Sequence, residues 1–230
     1  AKQGKFRMHP LSASLYQGKY SGDIGLDVSA KEPQLSLDEK LSGVQSGPLL
    51  KDFMGEELVT GEASVAAKMT ASGLDAMAVR KTLNGSGNFR FSNGAVKGVN
   101  IGQQIRNAYA LYKKQPKPAA EQKSTDFADL SGSFRVNNGV VSTSDLSARS
   151  PLFQVAGRGK ADLVAERLDL RLDTTIVSDV RDATGERIGE LSGERIPVTI
   201  KGKFSEPKIG VDIGSIFEAN FQDHDPVLFV

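Results

Sequence analysis

Two histidines and the acidic residues beside one of them are the side chains whose chemistry could support a metal site. His9 precedes Pro10 near the start, and His224 stands between Asp223 and Asp225 close to the end. Because adjacent residues of an extended chain point to opposite sides, these three neighbours do not converge easily on one ion. We interpret them as part of a solvated tail and predict neither a metal nor a cofactor.

Other motifs with possible chemistry also favour ordinary structural roles. The sequence GRGK at residues 157–160 lacks the spacing of a phosphate-binding loop, and its glycines indicate a bulge or a close backbone approach. Asp169 and Asp173 alternate with arginines, as expected for ion pairs on a wet strand face. The chain has no cysteine, which excludes disulfides, thiolate metal sites and cysteine nucleophiles. We therefore predict that the protein is not an enzyme.

Composition excludes further classes of protein. The 29 basic residues are balanced by 28 acidic ones, so the basic footprint of a dedicated nucleic-acid binder is missing. No stretch approaches the roughly 20 apolar residues of a membrane-spanning helix. The start has neither an initiator methionine nor an apolar signal core. We interpret the chain as a fragment or processed form, with any anchor outside it.

The elements that must carry a function are mostly strands. In residues 167–177 the apolar and charged side chains alternate with period two, as they do again in residues 195–204. Pro197 favours an edge position or a strand end, because proline donates no hydrogen bond. Weaker alternation marks residues 11–16, 20–28, 34–41, 61–69 and 152–163. The pattern predicts an antiparallel sheet that is solvated on one side.

Two segments of the chain are similar to each other. LNGSGNFRFSNGAVKGVNI begins at Leu83, and LSGSFRVNNGVVSTSDL begins at Leu130. Asn93-Gly94 in the first aligns with Asn138-Gly139 in the second. Because Asn-Gly suits a type I′ turn, which needs positive φ at both central residues, we predict a β-hairpin at each.

Four short helices are predicted, over residues 48–54, 74–83, 101–113 and 213–219. In the third, Asn100 is expected to cap the helix and Gln103 to reciprocate. Its stripe of Arg106, Lys113 and Lys114 beside Tyr109 and Tyr112 either touches a membrane surface or packs on the sheet, and packing is the commoner case. Residues 113–126 read as a mobile loop and 220–230 as a tail.

Several motifs together resemble one known family. They are LNGSGNFRFSNGAVKGVNI from Leu83, TDFADLSGSFRVNNGVV from Thr125, DLSARSPLFQVAGRGKADL from Asp145 and LDLRLDTTIV from Leu168. In this order they resemble the C-terminal region of the bacterial AsmA family, envelope proteins related to bridge-like lipid-transfer proteins. The resemblance extends over about residues 11–213, and we treat residues 1–230 as a single domain of that kind.

The resemblance implies a location and a role. It implies a periplasmic domain of a protein that an N-terminal helix, absent from this chain, tethers to the inner membrane. It further implies roles in outer-membrane biogenesis and in moving or accommodating phospholipids. The expected fold is mainly β with a few short helices: a curved antiparallel sheet built from hairpins, with one apolar face partly covered by the helices.

An apolar sheet face must be covered by other elements or by a ligand, and the acyl chains of a phospholipid could bind by nonpolar burial alone. The lipid-facing candidates are Phe89, Phe91, Phe134, Val136, Leu168, Leu170, Leu172, Ile176, Ile196, Val198 and Ile200. The simplest alternative is that these residues form an ordinary core.

Two other functions remain open from the sequence. One is a β-rich scaffold that binds no lipid and contacts outer-membrane assembly factors by adding strands at a sheet edge. The other is an enzyme or a carbohydrate-binding module, which the absence of tryptophan disfavours.

Overall fold

The computed structural model describes residues 4–178, 180–182, 185–214 and 216–217. Within them, eleven strands form one antiparallel sheet in which each strand pairs with its neighbours in chain order. The strands are β1 (Lys5–Leu15), β2 (Gly18–Asp27), β3 (Gln34–Gln45), β4 (Glu62–Ser72), β5 (Asn84–Lys97), β6 (Ser124–Asn137), β7 (Val140–Arg149), β8 (Phe153–Asp162), β9 (Arg167–Ile176), β10 (Arg195–Lys203) and β11 (Glu206–Val211). The predicted fold class is confirmed.

The sheet is broad and curved. At about 4.8 Å between neighbouring strands, eleven strands span about 48 Å. The pairing register shifts within four strand pairs, and such bulges bend and twist a strand. They lie between Met8 and Leu11, Leu41 and Val44, Ser131 and Arg135, and Thr143 and Leu146. The bulges recur across the sheet, so the bending is spread over its width.

One of the two predicted hairpins is confirmed and the other is wrong. Asn138 and Gly139 have φ angles of 47° and 77° and connect β6 to β7, as a type I′ turn requires. Asn93 also has a positive φ, of 51°, but it lies inside β5. The residues that follow it do not fold back on β5, because Gly94 pairs with Phe127 at the start of β6. An Asn-Gly pair permits a reversal, and cross-strand pairing decides whether one occurs.

The two similar segments pair with each other in β5 and β6. Phe89 lies opposite Gly132, and Phe134 lies opposite Gly87. Each phenylalanine ring therefore covers the glycine of the neighbouring strand. The internal similarity reflects a reciprocal contact at the middle of the sheet.

Three helices connect strands at the sheet ends: α1 (Ser46–Met54), α2 (Ala76–Thr82) and α3 (Ile101–Tyr112). The first ends, as predicted, at Gly55, whose φ is 81°. The second starts later than predicted, because the Asp75 side chain accepts a hydrogen bond from the Ala78 amide and caps it there. The fourth predicted helix, residues 213–219, lies partly outside the described residues, of which 214, 216 and 217 are helical. The tail at 220–230, with His224, also lies outside them.

The predicted cap of α3 is half confirmed. The Asn100 side chain accepts a hydrogen bond of 2.8 Å from the Gln103 amide. The Gln103 side chain does not reciprocate, because it donates to Asn107 and accepts from the amide of Glu121. Glu121 lies in the connection between α3 and β6, so Gln103 holds that connection, which we predicted as a mobile loop, against the helix.

The C-terminal part of the sheet is covered by a cap, defined as α3 together with Val180, Ile188, Leu191, Ile213 and Ile216. Ile105 of α3 and Leu191 are fully buried against β9 and β10. Tyr109 is buried there too, which supports sheet packing over membrane contact for this helix. Pro197 is the third residue of β10, which lies between β9 and β11, so the predicted edge position is wrong. Proline is tolerated there because the ladder to β11 begins only at the next residue, Val198.

Candidate functional site

One apolar face runs across all eleven strands. Directly paired residues of an antiparallel sheet share a face, so the register identifies its members. One row, in order, consists of Met8, Ile24, Leu37, Met69, Gly85, Val136, Val141, Ala161 and Leu168. Another consists of Val44, Ala63, Phe91, Leu130, Ala148, Val155, Thr174 and Ile196. Ile209 and Val211 of β11 pair with Ile200 and Val198, so the apolar face is continuous from β1 to β11.

All eleven predicted lipid-facing residues lie on this apolar face, in three environments. Ile176, Ile196 and Val198 are fully buried under the cap and form ordinary core. Phe134, Val136 and Leu168 lie toward the end of the strands at which α2 connects β4 to β5. The remaining five line a cavity and are Phe89, Phe91, Leu170, Leu172 and Ile200. The structure thus brings these five together at the cavity, and two of them, Leu172 and Ile200, also belong to the buried core cluster.

The central cavity lies between the middle of the sheet and the start of α3. Its volume is about 470 Å³, which falls in the range of about 300–1,000 Å³ of small-molecule pockets. Apolar side chains line most of it, while Thr125, Asp126 and Ser150 also contribute to its wall. The other lining residues are Val59, Val96, Val99, Ile101, Phe127, Leu130, Leu146, Ala148, Phe153 and Val155.

None of the eleven predicted lipid-facing residues lies in β1–β4, although the apolar face extends over these strands. Phe6 and Leu26 are 45% and 37% exposed at its edge, and the leucines of β3 are only half-buried, whereas Val44 and Ala63 are buried. The weak alternation in residues 20–28 and 34–41 was the signal for it, since Ile24, Leu35 and Leu37 lie on the apolar face. This uncovered half continues toward the central cavity through Val65, which pairs with Phe89.

Glu39 is a charged side chain in the middle of the apolar face. It lies in β3 between Gly22 and Ala67 of the neighbouring strands. Both carboxylate oxygens are buried, and neither has a hydrogen-bond partner of regular geometry. The nearby Tyr20 hydroxyl is its polar neighbour, and hydrogen bonding to Glu39, with desolvation, raises the pKa of Tyr20 to about 12. The irregular contact satisfies this carboxylate poorly.

Replacing Glu39 with leucine is therefore expected to raise the free energy of unfolding by about 1–3 kcal/mol, because it removes a buried charge without regular partners. Urea unfolding measures the change. Asp38→Leu is the matched control on the other face, where the carboxylate pairs with Lys68 in solvent, and it should change stability by less than about 1 kcal/mol. A loss of stability in Glu39→Leu would show that the carboxylate has a stabilising partner.

Two kinds of site are missing from the described residues. None of the helices is long and apolar enough to cross a bilayer. In that same part of the chain, no three acidic or histidine side chains are grouped so that they could hold a metal ion. The GRGK residues lie in β8, where Gly157 and Gly159 face Leu172 and Leu170 and permit a close approach, as predicted.

Comparisons with known proteins agree with the resemblance in the sequence motifs. The chain is 22% identical over 223 residues to Protein AsmA of Escherichia coli (strain K12), a match that covers 96% of this chain and 36% of that protein. The chain thus spans just over a third of the length of this relative. No solved structure gives a significant match. A model of the AsmA family matches residues 1–146, more than half of the chain, and the chain therefore belongs to the AsmA family.

Proposed function

We propose that this chain is a non-enzymatic domain of the cell envelope that accommodates phospholipid acyl chains on its apolar face. In this role it supports lipid transport and homeostasis and outer-membrane biogenesis. The observation that carries the proposal is the uncovered apolar face over β1–β4, which continues into the central cavity. Exposed apolar surface that adjoins an apolar cavity is typical of an interaction or ligand-binding site.

Nonpolar burial supplies enough free energy for such binding. Each acyl methylene moved from water to an apolar site contributes about 0.8 kcal/mol. Ten methylenes would contribute about 8 kcal/mol, before the cost of ordering the lipid. A site of this type needs no catalytic or phosphate-binding motif, in agreement with the sequence.

The proposal includes a location. We place the domain in the periplasm, as part of a protein that an N-terminal anchor outside this chain holds at the inner membrane. Membership of the AsmA family supports this placement. The near-neutral charge of the chain also agrees with a lipid rather than a nucleic acid as the partner.

Native mass spectrometry of protein purified without detergent tests the proposal. We expect co-purified phospholipid on the wild type, and at least a tenfold lower lipid-bound fraction on Leu37→Asp. Leu37 is half-buried between Ile24 and Met69 on the apolar face, so an aspartate there would place a charge against the acyl chains.

Ser36→Asp is the matched control, because Ser36 precedes Leu37 in β3 and points to the opposite, solvated face. Its lipid-bound fraction should equal that of the wild type. Thermal unfolding of each protein checks that the fold survives. A wild-type protein that is folded and free of lipid in repeated preparations would contradict the proposal.

A scaffold role is the alternative, and the open sheet edge favours it. Among the described strands β1 pairs with β2 alone, so its eleven residues could accept a strand from a partner protein. The register shift in β1 and the charges of Lys5 and Arg7 are features that protect edges from unspecific pairing. Lipid-free protein that crosslinks in the periplasm to an assembly factor through β1 would support this alternative.

A further inference from the structure

The central cavity is deep because the large side chains on its floor lie flat over glycines. Phe89 lies opposite Gly132 in the β5–β6 pair, and Leu172 lies opposite Gly157 in the β8–β9 pair. A Cβ atom at Gly132 would lie 3.1 Å from Cζ of Phe89, and one at Gly157 would lie 2.5 Å from Cδ2 of Leu172. Both distances are shorter than an ordinary carbon contact. An alanine at either position would therefore push its partner side chain up from the sheet.

Those two partner side chains form part of the cavity floor. Phe89 and Leu172 both line the central cavity, so lifting either one reduces its depth. Neither glycine has a positive φ, so each lies in ordinary strand backbone that alanine also adopts. The requirement for glycine at these positions is thus the space above it.

The cavity also has a closed end. Ile101 of α3 and Ile200 of β10 belong to its wall, and the fully buried Ile196 and Val198 of the core lie beside it. The open part of the apolar face lies in the other direction, over β1–β4. A flexible chain that enters from the open part therefore ends in the central cavity.

We propose that Gly132 and Gly157 determine the length of the acyl chain that this domain accepts, by setting the depth of the cavity in which the chain ends. This inference rests on the proposed lipid-binding function. The ligand class is the unbranched, flexible alkyl tail of a lipid. Each methylene that the cavity can no longer hold costs about 0.8 kcal/mol, equivalent to about a fourfold loss of affinity.

Competition of decanoic acid and palmitic acid against a fluorescent fatty acid tests the inference on the purified chain. The wild type should prefer palmitic acid. Gly132→Ala and Gly157→Ala should each bind palmitic acid at least fourfold more weakly and decanoic acid almost unchanged. Phe89→Leu, which removes the ring from the cavity floor, should shift the preference toward longer acids.

Gly25→Ala is the matched control. Gly25 lies in β2 on the polar face, where a Cβ atom would meet the Ser36 hydroxyl oxygen at 2.4 Å. The local strain is therefore similar, but neither residue lines the central cavity. Unchanged chain-length preference in the two cavity alanines and in Phe89→Leu would overturn the inference. If no protein, including the wild type and Gly25→Ala, binds either acid, the proposed function itself fails.

Discussion

Replacing Ala148 with phenylalanine is expected to exclude lipid from the central cavity while leaving the protein folded. Ala148 lines the cavity, between Leu130 of β6 and Val155 of β8. The added ring would occupy space that we assign to an acyl chain. Burying a phenylalanine gains about 1.5–3 kcal/mol, which offsets the about 1–3 kcal/mol that overpacking costs. We expect the lipid-bound fraction in native mass spectrometry to fall at least tenfold.

Ser147→Phe is the control for that variant. Ser147 is the preceding residue of β7, and it is exposed on the polar face. The same ring placed there should leave the lipid-bound fraction and the unfolding temperature unchanged. Equal lipid on Ala148→Phe and Ser147→Phe, with both proteins folded, would show that the central cavity does not hold lipid.

Ile105→Ala is expected to lower the free energy of unfolding by about 2–5 kcal/mol, the usual cost of emptying a fully buried aliphatic site. Ile105 is completely buried in α3, where the cap meets β9 and β10. Urea unfolding of the two proteins measures the difference. The variant tests whether the cap is an integral part of the core.

Leu111→Ala provides the comparison within the same helix. Leu111 is 82% exposed, so its truncation should change stability by less than about 0.5 kcal/mol. A small effect of Ile105→Ala, close to that of Leu111→Ala, would mean that α3 does not cover the sheet in solution.

Period-two patterning in the sequence was sufficient to predict the sheet. The charged and apolar residues of 167–177 and 195–204 alternate strictly, and these segments form β9 and β10 almost as predicted. Local sequence alone could not show that the turn predicted at Asn93-Gly94 is absent, because Asn93 does adopt the positive φ that such a turn requires. Its position inside β5 depends on pairing with β6, which begins about 30 residues further along the chain.

The candidate site was predictable only in part. The apolar character of Phe89, Leu170 and Leu172 is visible in the sequence, but the sequence does not distinguish residues that line the cavity from those, such as Ile196, that do not. That distinction depends on where α3 lies over the sheet. Glu39 did leave a signal, because it interrupts a run in which Leu35, Leu37 and Leu41 occupy alternate positions of β3. Its burial follows from the neighbouring strands, which sequence alone does not place.

Photocrosslinking along β3 in cells tests the central claim most directly. A photoreactive amino acid is placed in turn at Leu35, Ser36, Leu37, Asp38 and Leu41, and lipid adducts are identified by mass spectrometry. Leu35, Leu37 and Leu41 lie on the apolar face, whereas Ser36 and Asp38 point away from it. We predict phospholipid adducts at the three leucine positions and none at the other two. Adducts at neither set, or equally at both, would contradict the assignment of the apolar face as a lipid-binding surface.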